Sequence, residues 1–118
     1  MTNQNNPRAS GLPHHHLVAW QVAVEFLSAV RAANIKDADL RNQAMRAAKS
    51  VCLNTAEGAG RRTQADKARV FSIARGEAVE AVAAVEIAGY AGDTTAEASE
   101  RCVALGARVV ALLSGLMR

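Results

Sequence analysis

Aromatic side chains are scarce in this chain of 118 residues, which has one tryptophan, one tyrosine and two phenylalanines. Trp20, Phe26, Phe71 and Tyr90 cannot build a bulky core, and they leave few rings for stacking on nucleobases. Histidine occurs only as His14-His15-His16. No Glu-x-x-His pair is present, which removes the di-metal chemistry of helical bundles. No Cys or carboxylate ligand pattern accompanies the histidine run, so no metal site and no cofactor is assigned. Cys52 and Cys102 stand alone in helical patterns and read as buried free thiols of a reducing compartment. No uninterrupted apolar window of about 18 residues occurs, so no membrane span is expected. The N-terminus lacks a charged region followed by an apolar run, so no secretory signal is expected either, and the reading is cytoplasmic.

What the chain does have is small apolar residues. Half of it is hydrophobic, and alanine and valine dominate, a composition suited to closely packed helices. The length fits a single domain. Residues 1–16 are polar and irregular, with Pro7 and Pro13, and read as a disordered N-terminal arm. Residues 17–118 then read as four helices.

Helix 1 is expected over about 17–33 with two apolar stripes: Leu17, Trp20, Val24 and Leu27, beside Val18, Val22, Phe26, Ala29 and Ala33. Two stripes exceed the face one bundle partner needs, so a further layer or a second subunit should cover the excess. Trp20 can be read as a base-stacking residue, but a core or interface anchor is the favoured role. Helix 2, expected over 38–59 with Asp37 or Asp39 as cap, carries the seam Leu40, Ala44, Ala47, Val51, Asn54 and Gly58. Helix 3, expected over 64–90, repeats Phe71, Ala74, Ala78, Ala81, Val85 and Ala88. Gly76 interrupts it at a cost of up to about 1 kcal/mol, which suggests a close backbone approach by a neighbouring helix. Gly89 and Gly92 should close it, and Asp93 or Thr94 should cap helix 4. Helix 4 again shows two stripes, Ala98 to Leu116 and Val103 to Met117. Short connections make this an all-α, antiparallel up-down-up-down four-helix bundle.

The charge is uneven. From Arg41 to Arg75 eight basic residues face only Glu57 and Asp66, whereas residues 77–100 hold six acids and no base. The bundle topology brings Arg61, Arg62, Lys67, Arg69 and Arg118 to one end. Arg46 and Lys49 lie with Arg41 on one outer arc of helix 2; alone they describe a solvated face, and with the corner they extend a candidate phosphate-binding set.

The corner itself, Asn54-Thr55-Ala56-Glu57-Gly58-Ala59-Gly60-Arg61, is where a helix should end near Gly58 or Gly60 by the left-handed conformation glycine accepts, with Thr63 capping the next. With Arg46-Ala47-Ala48 before it, Ile73-Ala74-Arg75-Gly76 after it and Val18-Ala19-Trp20-Gln21 at the start of helix 1, it resembles the 23S rRNA-intervening-sequence proteins over about residues 17–118. Val51-Cys52-Leu53 stands where that family has a proline and a serine, and Asp66-Lys67 where it has Glu-Phe. The resemblance implies an antiparallel four-helix bundle forming a ring-like homo-oligomer, a pentamer, without established catalytic activity. Relatives in retroelement cassettes act as accessory factors that contact nucleic acid and a reverse transcriptase.

These readings converge on a non-enzymatic, oligomeric accessory factor that binds the RNA or DNA backbone through Arg61, Arg62, Lys67, Arg69, Arg46 and Lys49. The alternative is a scaffold whose basic end docks an acidic protein, with no nucleic-acid role.

Overall fold

The computed structural model describes residues 11–118. Four helices make up the fold: α1 (Val18–Ala32), α2 (Ala38–Ala59), α3 (Gln64–Tyr90) and α4 (Ala96–Leu116). Each packs on two neighbours, in the ring order α1, α2, α3, α4, with the largest interface between α2 and α3. This is the antiparallel bundle that the short connections imply.

The starts of three helices follow from side chains that accept the orphan first-turn N–H groups. Asp37 Oδ2 accepts from Leu40 N at 2.9 Å. Thr63 Oγ1 accepts from Asp66 N at 3.1 Å. Thr95 Oγ1 accepts from Ala98 N at 3.1 Å. The last corrects the expectation of Asp93 or Thr94 as the cap of α4. Those two residues serve the opposite connection instead: Thr94 Oγ1 donates to Ala33 O at 2.6 Å, and Asp93 O accepts from Lys36 N at 2.9 Å. The α1–α2 and α3–α4 turns are thereby tied together at one end of the bundle. Gly92 ends α3 with φ +78°, the left-handed conformation, whereas Gly89 lies within the helix against Ser99.

The core is small-residue packing around a few large side chains. Phe26, Ile35, Leu113, Val22, Val30, Val51, Val70, Val85 and Val109 are all but inaccessible, and buried alanines from α1, α2 and α3 fill the space between them. Burial of one such large side chain contributes roughly 1.5–3 kcal/mol. The α3 seam expected from the sequence, Phe71 through Ala88, is buried at every position. Both stripes of α4 are buried or half-buried within the single chain. Excess apolar surface is found on α1, where Val18 and Val24 of the two expected stripes are exposed, and on the outer side of α3. There Ile73, Val79, Ile87 and Tyr90 are exposed, Tyr90 to 90 %, and Gly76 has open space where a Cβ would be. Among the described residues no helix packs against Gly76, although the sequence suggests that one would.

The disordered arm expected over residues 1–16 lies outside the described residues for its first ten positions. Its last four, Pro13–His16, form a 3-10 turn rather than irregular chain. Pro13 suits the first position of such a turn because its missing N–H has no partner to lose. The His14 and His15 rings meet Trp20 edge-on, at 4.8 and 5.5 Å between centroids. Gln21 Nε2 donates to His15 O at 3.1 Å.

Candidate nucleic-acid interface

The α2–α3 corner owes its shape to glycine, though not by the expected route. Gly60 follows α2 with φ −85°, an ordinary right-handed conformation. Gly58 is inside the helix and buried, and a Cβ there would come within 2.7 Å of the Phe71 ring. Its role is close packing of α2 on α3. Thr55, one turn earlier, buries its hydroxyl by donating to Val51 O at 2.6 Å, and this tight face brings the two helices together just before the basic loop.

The loop cations differ in how free they are. Arg61 bonds Glu57, four residues back on α2, and reaches Asp66 Oδ2 at 3.5 Å across the turn. These two carboxylates, the Glu57 hydrogen bond above all, hold the Arg61 guanidinium still more firmly protonated than usual. Asp66 also accepts from Arg69, at 2.9 and 3.1 Å. Lys67 Nζ donates to Ala59 O at 2.7 Å, closing the C-terminal end of α2, where a cation also suits the helix dipole. Gln64 Nε2 bonds Leu116 O at 3.0 Å and Arg118 O at 3.2 Å, so the end of α4 lies beside the corner.

Arg62 is exposed, and among the described residues its side chain has no ion pair or hydrogen bond. Arg46 and Lys49 are in the same state. Three residues apart on α2, they share one helix face and line a polar concavity with Asp39, Asn42, Gln43 and Met45. Arg41, from the same arc, is turned to the far end, where it donates to Ile35 O at 2.9 Å.

The six candidate residues thus divide in two. Arg61, Lys67 and Arg69 brace the corner, and Arg46, Lys49 and Arg62 present charge that is unpaired among the described residues. The braces explain the early cations of α3, which oppose its dipole: Asp66 and the α2 carboxyl end compensate them. Sequence spacing shows the Asp66–Arg69 pair on one helix, but the Arg61–Asp66 pair crosses a turn whose path only the structure fixes. Arg75 donates from Nε to Ser114 Oγ at 2.9 Å and links α3 to α4.

Among the described residues no group of three His, Cys, Asp or Glu side chains converges as metal ligands would, and no helix is long and apolar enough to cross a membrane. Burial pushes the Cys52 thiol up to about 11 and raises that of Cys102 as well.

No curated protein matches the chain. A family profile described as 23S rRNA-intervening sequence protein does, over residues 15–115. That span takes in His15 and His16 at the end of the turn, Trp20, the α2–α3 corner and nearly all of α4. The bundle, its glycine-packed corner and this match together establish that the chain belongs to the 23S rRNA-intervening sequence protein family.

Proposed function

We propose that the protein is a non-enzymatic, oligomeric accessory factor that binds nucleic-acid phosphates through exposed cations on the outer face of α2 and at the α2–α3 corner. The observation carrying this reading is the set Arg46, Lys49 and Arg62, which is exposed and unpaired among the described residues. Phosphate neutralisation by such side chains releases counterions and is independent of sequence. Arg61, Lys67 and Arg69 contribute a positive field while holding the loop in place.

Oligomerisation supplies the missing strength. Three cations on one small domain bind weakly, but copies repeating them on one assembly add avidity. The exposed stripe Ile73, Val79, Ile87 and Tyr90, centred on the open Gly76, offers an apolar helix face with a position where another backbone can come close. A ring of five copies is the assembly that fits the family.

Binding to RNA and DNA across a salt series tests the reading. The wild-type protein should lose affinity as salt rises. Arg62→Glu combined with Lys49→Glu should lose at least about tenfold at low salt and flatten the salt slope by roughly two contacts. Affinity unchanged in that double variant overturns the proposal. The competing reading, a scaffold for an acidic protein, draws on the same cations. Partners that survive nuclease treatment, with no direct binding of purified RNA or DNA, would establish it instead.

A further inference from the structure

The concavity between α1 and α2 is unlike the basic corner. It measures about 450 Å³ and is lined by His14, Trp20, Leu27, Lys49, Cys52, Leu53 and Ala56. Its walls are apolar apart from Lys49 and the His14 imidazole, and Leu53 stands 69 % exposed on its rim. Lys49 belongs also to the adjoining polar concavity, with Arg46, the amides of Asn42 and Gln43, and Asp39 as its one acid against two cations. The apolar part extends for only about two turns of α2, from Lys49 to Ala56. An amphipathic helix would need a longer apolar trough. A flat ring with an anion beside it needs only a short slot with cations at its mouth.

The geometry points to a nucleobase subsite here: an unpaired base of a single-stranded nucleic acid enters the slot between Trp20 and Leu53, and its flanking phosphates lie on Lys49 and Arg46. This rests on the phosphate-binding reading above and adds to it a preference for unpaired strands. Charge complementarity selects the occupant, because both cations are without ion-pair partners among the described residues. The slot is apolar where a ring would lie and polar where the backbone would run. Aromatic side chains accept any base on their faces, so the preference is for single-strandedness and not for sequence. His14 and His15, edge-on to the indole, hold Trp20 in position from the turn that precedes α1.

Trp20 is the chain's single tryptophan and reports on the slot directly. Intact protein is titrated with an oligouridylate of roughly ten nucleotides, a length within the range of single-strand sites, and with a blunt RNA duplex of equal length. Trp20 emission and filter-bound affinity are read together. The single strand should quench Trp20, and the duplex should bind in a salt-dependent way without quenching. Leu53→Asp, on an exposed position that leaves the fold intact, should abolish the quench and weaken single-strand binding about tenfold, the order expected for one lost stacking contact. Duplex binding should fall much less. Lys49→Ala should weaken both.

Binding of both strands with no emission change, or single-strand affinity indifferent to Leu53→Asp, overturns the subsite and leaves the phosphate-binding reading standing. Failure to bind either strand overturns both. An emission change on deleting residues 1–10, with no response to the oligonucleotide, assigns the slot to the chain's own N-terminus and overturns the subsite.

Discussion

Gly58 and Phe71 touch so closely that a single methyl group on residue 58 would sit 2.7 Å from two carbons of the ring. Phe71 is buried and cannot swing away without moving α3. Gly58→Ala therefore gains up to about 1 kcal/mol of helix propensity and incurs an overpacking cost of about 1–3 kcal/mol. A net loss of about 1–2 kcal/mol should appear in urea unfolding, and Phe71→Leu added to Gly58→Ala should recover part of it. Stabilisation by the single change would contradict the close contact.

Gly76 behaves in the opposite way. With open space around its Cα, Gly76→Ala should stabilise the isolated bundle by about 0.5–1 kcal/mol. Gly76→Gln should leave the helix intact but shift the protein to smaller species in sedimentation or light scattering, because a long side chain would block a second copy. Val79→Asp should do the same. A wild-type protein that is monomeric at high concentration would remove the oligomeric part of the proposal.

Thr94 joins two connections through one hydroxyl. Its bond to Ala33 O is 2.6 Å long and partly buried, so Thr94→Val keeps the shape and leaves that carbonyl unsatisfied. A cost of about 1–2 kcal/mol in thermal or urea unfolding is expected. Thr95→Ala removes only the α4 cap and should cost about 1 kcal/mol. An effect of Thr94→Val within the error of the wild type would place the Ala33 carbonyl in solvent.

The histidine turn should respond to mild acid. Partial burial, and then the neighbouring His15, lower the His14 pKa below the ordinary 6.5, so the folded turn favours the neutral ring. Its contribution is fully present above pH 6.5 and is lost as the pH falls through the lowered value. Trp20 emission should change below pH 6.5, reversibly and with the four helices intact by circular dichroism. His14→Gln should suppress much of that change.

The two thiols should be slow to alkylate at pH 8. Burial holds Cys52 protonated up to about 11 and raises Cys102 in the same direction, while only the thiolate reacts. The Cys52 rate should keep rising with pH beyond the ordinary thiol value of 9.0, measured by mass spectrometry on Cys102→Ser. Rapid labelling at neutral pH would mean the thiol is more open than the packing of α2 allows.

Helix positions were legible because their causes are local. Asp37 and Thr63 cap within three residues of themselves, and the α3 seam repeats at the bundle period from Phe71 to Ala88. The outer stripe of α3 was hidden by that seam: the helix is apolar on two faces, so its periodicity has no single direction. Gly58 and Gly60 looked like helix closers because glycine chemistry alone does not separate a turn from a tight crossing. The cations were all visible, but their state was not. Whether Arg61 is free or held depends on Asp66 lying across a turn, and the Trp20–Leu53 slot joins residues more than thirty positions apart.

Gln64 bridges to Leu116 and Arg118 at the same end where the Pro13–His16 turn leads into α1. Any affinity handle or fluorophore fused near either described terminus would therefore overhang the arginine-rich corner and shade it from a polyanion. The Thr94-tied connection at the far pole is the better anchorage for immobilising this protein with its guanidinium groups outward, and an array built that way would display them uniformly.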